Sequence, residues 1–217
     1  MFASQEANKD ESINDFNCEM STPPFEDSVS CIAWTPAIAA GTKPTMFAVG
    51  TWDGYVRIFN VEQTQQGSVG IVQKFSMKQT APVLGLAWNG QNNGLFAGCA
   101  DNFVRAIDLT SSKSMDMGKH NSPVKDVFFV PSQNMVISTS YDKNINFWQM
   151  GNQNPVFNMP LNHKVYVSDF VFPIFAAGLS DEKVLLFDIN NINKKILLDS
   201  QLGKESQIQS VAISPDC

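Results

Sequence analysis

His120, Ser138 and Asp142 are the residue types from which a serine hydrolase assembles its base, nucleophile and orienting acid. That chemistry needs more than composition. The serine has to stand exposed on a sharp turn, and backbone N–H groups have to wait for the oxyanion. Ser138 instead lies inside the strand-like run "NMVISTS", with no oxyanion-hole signature beside it. The expectation is therefore structural, with the polar groups of His120, Ser138 and Asp142 satisfied inside the fold rather than offered to a substrate. Other catalytic signals are missing as well. The sequence has no phosphate-cradling glycine loop and no paired carboxylates isolated in a predicted pocket. Its four cysteines, Cys18, Cys31, Cys99 and Cys217, contain no CxxC and are accompanied by only two histidines, His120 and His163. Neither a metal nor any other cofactor is expected.

The elements that must carry these residues repeat. An apolar residue followed five positions later by a large apolar one recurs as Val29 to Trp34, Val83 to Trp88, Val124 to Phe129, Val167 to Phe172 and Ile208 to Ile213. A turn aspartate followed six positions later by a bulky strand residue recurs as Asp53/Phe59, Asp101/Ile107, Asp142/Trp148 and Asp181/Phe187. After first steps of 54 and 48 residues the two markers advance by 39–43, close to the about 40–45 residues of a four-stranded propeller blade. The fold predicted is all-β: a WD-repeat β-propeller with four blades and the first strand of a fifth, forming part of a seven-bladed ring. The blades cover about 28–76, 80–118, 122–160 and 165–199, and the fifth begins at 206–217. Small residues in the second strands, including Gly50, Gly98, Ser138 and Gly178, allow neighbouring sheets to crowd together. Residues 1–22, polar and weakly periodic, read as a disordered or loosely packed arm before the propeller of 23–217.

Composition agrees with this and narrows the partners. Charged residues are 17% of the chain, below the roughly 25% of ordinary soluble domains, while aromatics reach 11% with 16 Phe, which favours sheet over helix bundle. A net charge of -6 argues against a surface that holds nucleic acid mainly by neutralising phosphates. Protein partners are the better expectation. Cys31 and Cys99 lie in apolar runs, as reduced thiols of a reducing compartment do, and no stretch has the length of a signal peptide's apolar region or a membrane span. Membrane insertion is not expected.

The third repeat, "GKHNSPVKDVFFVPSQNMVISTSYDKNINFW", places His120, Ser138, Asp142 and Trp148 at the four positions where WD repeats resemble one another through a His–Ser–Asp–Trp hydrogen-bond chain. The other repeats lack the histidine, with Gln79 or Thr80 where it would stand. The order of "PPFEDSVSCIAW", "AVGTWDGYVRIFNV", "APVLGLAW", "CADNFVRAIDL", "HNSPVKDVFF", "SYDKNINFW" and "VYVSDFVFPIFAAGLSDEKVLLFDI" resembles the nuclear-pore mRNA export propellers, the Rae-one/Gle-two family, from about Pro23 to the end. A more distant likeness is to the spindle-checkpoint propeller Bub-three. A scaffold or substrate receptor in another assembly, such as a ubiquitin ligase, is a third reading.

The resemblance implies a non-enzymatic docking platform in the nucleus, at the nuclear pore and also in the cytoplasm, that binds a nucleoporin through a GLEBS-type peptide and meets other pore proteins. The expected peptide face is made by Asp27, Trp52, Lys78, Gln79, Tyr141, His163 and Lys164, with Glu26 and Asn121 beside them and Trp52 and Tyr141 as aromatic anchors. The family usually has an arginine on the first strand of the fifth blade that meets an acidic residue of the peptide. Here Gln209 stands in its place, so that contact loses charge assistance. Direct RNA contact is a minor expectation, because Lys183, Lys194 and Lys195 lie among Asp181, Glu182 and Asp188 and read as solvated surface. A seven-bladed ring needs roughly 290 residues. The expectations for this chain are, in order, a truncated gene model, completion by another chain, and a compact four-bladed ring.

Overall fold

The computed structural model describes residues 25–36, 45–63, 69–199 and 207–214. The arm at 1–22, Cys18, Cys217 and the ends of the fifth-strand segment lie outside the described residues. Within them the chain forms four antiparallel sheets, each of four strands in sequence order. The first sheet holds β1 (Val29–Trp34), β2 (Met46–Thr51), β3 (Tyr55–Gln63) and β4 (Val69–Lys78), and the second holds β5 (Val83–Trp88), β6 (Gly94–Cys99), β7 (Phe103–Asp108) and β8 (Lys113–Lys119). The third comprises β9 (Val124–Val130), β10 (Met135–Ser140), β11 (Asn144–Gln149) and β12 (Phe157–Pro160). The fourth comprises β13 (Val165–Val171), β14 (Ile174–Leu179), β15 (Lys183–Asp188) and β16 (Lys195–Asp199). These are the blades of a WD-repeat propeller.

The inner strands of the two middle sheets are buried on both sides because a sheet lies on each of their faces: every residue of β6 is buried, as are Val136 to Ser140 of β10. Three apolar clusters form the core. Trp88, Leu86 and Ala48 join the first sheet to the second, Phe96, Val127 and Trp148 join the second to the third, and Ile137, Phe175 and Leu185 join the third to the fourth.

One contact recurs between sheets. A β-branched residue of one first strand sits on a glycine in the second strand of the preceding sheet. A Cβ built on Gly50 would lie 2.9 Å from Val83 Cγ1, one on Gly98 would lie 2.7 Å from Val124 Cγ1, and one on Gly178 would lie 2.8 Å from Ile208 Cγ2. No side chain fits there. At the corresponding place in β10 stands Thr139, which contacts the next sheet through a hydrogen bond of 3.3 Å with Ser168 Oγ. The last glycine contact locates residues 207–214. They run against the fourth sheet, with the Ile213 N–H donating to Asp169 Oδ2 at 2.6 Å, but join no ladder. The expected fifth strand is thus positioned without being paired, since a strand needs a neighbour for its backbone groups.

The fourth repeat corrects one sequence marker. β13 begins at Val165, which opposes Leu179 as Val83 opposes Cys99, and Phe170 opposes Phe175 as Trp88 opposes Leu95. The equivalent pair is Val165 and Phe170, two residues before the expected Val167 and Phe172, and Phe172 is exposed in the turn. Strand side chains alternate with a period of two, so a shift of two keeps every residue on the same face and leaves the pattern unchanged.

Gly85 tests the spacing of the sheets, because a Cβ there would lie 2.9 Å from Asp126 Cα and 3.0 Å from Lys125 O, backbone that cannot swing aside. We expect Gly85→Ala to lower stability by about 1–3 kcal/mol in urea denaturation. Gly90→Ala, whose added carbon would meet Phe129 at an ordinary 3.4 Å, should leave the midpoint nearly unmoved. Equal midpoints for the two variants would contradict the close approach.

Candidate functional site

The β2–β3, β6–β7, β10–β11 and β14–β15 turns carry Asp53, Asp101, Asp142 and Asp181, and the antiparallel meander puts all four at the same end of their sheets. In the third sheet this turn is tied to the core by one hydrogen-bond chain. Trp148 Nε1 donates to Ser138 Oγ at 2.7 Å, Ser138 Oγ lies 2.7 Å from His120 Nε2, and His120 Nδ1 lies 2.9 Å from Asp142 Oδ2. A carboxylate only accepts, so Nδ1 carries the ring proton. In the neutral imidazole Nε2 then accepts from the serine hydroxyl, and the protons run in one direction from tryptophan to aspartate. Ser138 and Trp148 are wholly buried. No substrate carbonyl can reach that Oγ, and one of its lone pairs already holds the indole N–H. The packing explains why the tryptophan is there, since its ring covers Gly118 of β8, where a Cβ would lie 2.1 Å from Cζ3.

Burial pushes the Asp142 carboxyl up, but the hydrogen bonds from His120, the Asn121 N–H and Asn144 outweigh it and bring the pKa down to about 2. The first two sheets hold their turns with a different residue. Arg57 Nη2 reaches Asp53 Oδ2 at 3.1 Å, and Thr51 Oγ1 donates to Asp53 Oδ1. Arg105 forks onto Asp101 at 3.0 and 2.6 Å and sends Nε to Asp116 at 2.9 Å, while Thr80 Oγ1 donates to Asp101 Oδ2 at 2.7 Å. Burial raises both carboxyls, and these hydrogen bonds more than offset it, so each lies below its ordinary value. The sequence reading missed the two arginines. Their signal was present as aspartate and arginine four apart in "DGYVR" and "DNFVR", a spacing that keeps both on one strand face. In the fourth sheet that place is Leu185, and Asp181 meets only His163 Nε2 and Lys183 Nζ, both at 3.4 Å.

The face expected to bind a peptide is unevenly available. Trp52, in the β2–β3 turn, is 51% exposed. Tyr141, in the β10–β11 turn, is half-buried against Tyr166, ring centroids 6.3 Å apart. Lys78 is exposed and rests its ammonium over Tyr55 at 5.3 Å. Asp27 and Glu26 are exposed, and Asp27 caps the Ser28 N–H at 2.6 Å. Asn121 is exposed with its N–H on Asp142, Lys164 is exposed beside Ser180, and Gln209 is exposed one residue beyond Ile208.

Gln79 corrects its expected place on this face. It is 6% exposed, and its Oε1 accepts from Ser114 Oγ at 2.9 Å. The reason is positional. The Gln79 N–H donates to Gly54 O as the His120 N–H donates to Asn102 O, so Gln79 occupies the histidine's inward-facing site in the second blade. The same bond is made in the fourth repeat by Leu161 to Lys143 O, which puts His163 outside the equivalent position.

Comparison with known proteins agrees with this architecture. The family described as WD domain, G-beta repeat matches residues 112–149, the segment that contains the His–Ser–Asp–Trp chain. Protein Rae1 of Drosophila melanogaster is 29% identical over 192 residues, covering 87% of this chain and 51% of that protein. The mRNA export factor rae-1 of Caenorhabditis elegans is 30% identical over 199 residues, covering 88% of this chain and 50% of its own length. The Poly(A)+ RNA export protein of Schizosaccharomyces pombe is 25% identical over 179 residues, covering 81% of this chain and 48% of that protein. The chain spans about half the length of the curated relatives it matches.

The depressed pKa of Asp142 gives the turn network a pH signature. A carboxyl held below its unfolded value of about 3.9 contributes its full stability above that pH and loses it as pH falls through about 2. Asp142→Asn is therefore expected to be less stable than the wild type by on the order of 2 kcal/mol at pH 6, with the gap closing between about pH 4 and pH 2. Urea midpoints measured across that range check it. A gap that stayed constant to pH 2 would show that the charge contributes nothing.

Proposed function

We propose, from the kinship of this chain with WD-repeat mRNA export factors, that it is a non-catalytic docking platform of the nuclear pore in mRNA export. It holds a GLEBS-type nucleoporin peptide across the end of the sheets that carries the aspartate turns. The observation that carries this reading is the exposed Trp52 ring on a turn anchored beneath by the Asp53–Arg57 pair. An aromatic anchor gains most when its support does not have to order on binding, because side-chain and loop ordering subtract from affinity. The four turns meet that condition unequally. Three have their aspartates bonded inward to arginine or histidine, and the fourth has the looser His163 and Lys183 contacts. Tyr141, Lys78, Lys164 and Asp27 surround the anchor as the polar and aromatic rim, and Gln209 supplies an uncharged hydrogen-bonding group.

Other pore proteins are partners in this reading. Nucleus and nuclear pore are its location, with the cytoplasm as the other side of the transport step. Direct RNA contact is a minor part of this reading, because Lys183 of the scattered lysines is drawn towards Asp181 and Asp199.

The test is calorimetric titration of the chain with a GLEBS-type nucleoporin peptide. Trp52→Ala is expected to weaken binding about tenfold or more, and Tyr141→Ala by less, because its ring is partly engaged with Tyr166. Absence of measurable binding by a folded chain would sink the proposal, and so would a Trp52→Ala variant of unchanged affinity. A second titration replaces the peptide's glutamates. Affinity should fall only slightly, because Gln209 offers no charge to meet them.

A further inference from the structure

Each sheet ends outward on a strand whose second edge has no neighbour within the described residues: β4, β8, β12 and β16. Such an edge is a template for another strand, and folded proteins usually blunt it with charge, proline, shortness or a bulge. Three of these four are blunted. β4 carries exposed Lys74 and Lys78 and pairs through a register shift at Ile58/Phe59. β8 carries exposed Lys113, Asp116 and Lys119, with a shift at Val104/Arg105. β12 is four residues long and ends at Pro160.

β16 has none of these protections in its interior. Its sequence is Lys-Ile-Leu-Leu-Asp, its pairing with β15 is regular from Lys195 to Asp199, and Ile196, Leu197 and Leu198 are 52%, 59% and 49% exposed. Stacking another sheet on this blade would cover its face and leave its outer edge open, because sheets stack face to face.

The residues of β16 also specify what fits the edge. Laid antiparallel against itself about Leu197, the strand places Lys195 opposite Asp199 at both ends, Ile196 opposite Leu198 twice, and Leu197 opposite its own copy. Opposite charges and apolar pairs face each other at every position, which is the arrangement that stabilises cross-strand neighbours. Asp199 is 77% exposed, and its ion pair with Lys183 Nζ is a long one at 3.9 Å.

We propose that β16 is a self-association edge: two copies of this chain join β16 to β16 about a twofold axis, making one continuous sheet from their fourth blades. The contact is isologous, so it closes at a dimer and does not propagate. Five residues a side fall well short of the roughly 1,200–2,000 Å² of a stable interface, so the dimer is weak and reversible. This edge is separate from the peptide face, and its test does not depend on the docking reading.

Sedimentation equilibrium of the purified chain over a hundredfold concentration range tests the proposal. The wild type is expected to pass from monomer to dimer. Leu197→Lys sets two ammonium groups face to face at the axis and should raise the dissociation constant at least tenfold while circular dichroism stays unchanged. Lys195→Asp alone and Asp199→Lys alone should each be monomeric because like charges then meet at both ends. An equimolar mixture of those two variants should regain the dimer mass. A wild-type mass independent of concentration would overturn the proposal, as would an undiminished Leu197→Lys dimer or a mixture that stays monomeric.

Discussion

Every sheet in this chain depends on how closely the next one can approach. A β-branched residue at the start of one first strand rests on bare backbone in the second strand of the sheet before it, at Gly50, Gly98 and Gly178. That approach lets neighbouring sheets share clusters of buried side chains instead of leaving a wet seam. The meander repeated in every sheet then puts each aspartate turn at the same end of its sheet, and loops far apart in the sequence share a face.

Holding that face in place is a problem of buried polarity, and the repeats solve it differently. The third blade uses a hydrogen-bond relay from Trp148 through Ser138 and His120 to Asp142. The first and second bring a charged guanidinium directly onto the aspartate. Either way the turn's carboxylate stays ionised and its backbone N–H groups stay bonded. The fourth blade has leucine at both network positions, Leu161 and Leu185, and packs apolar side chains there instead. Its Asp181 makes only longer contacts with side chains at the surface. The fourth turn is consequently the one whose geometry is least determined by the core beneath it.

The same residue types that suggest a hydrolase in the sequence serve only to hold a turn in the fold. A serine hydroxyl, an imidazole and a carboxylate are in hydrogen-bond reach of one another, as in a charge relay, yet Ser138 is in the middle of β10 with a sheet on each side. Burial, and not the order of residue types, decides between the two roles.

Sequence alone determined the class of fold, the number of sheets and the membership of the His120–Trp148 network, because these follow from periodic markers and from residue types that must be paired when buried. It left four things open. The start of β13 was ambiguous by two residues, since a strand pattern is unchanged by such a shift. Only the pairing of Val165 with Leu179 resolves it. Gln79 read both as a residue of the peptide face and as a candidate for the histidine's place, and the bond from its N–H to Gly54 O decides for the inward site. The arginine clamps and the exposed β16 edge depend on which side of a strand has a neighbour. Tertiary structure decides such matters because pairing and stacking join residues far apart in the chain, and local pattern carries no record of which partner is opposite.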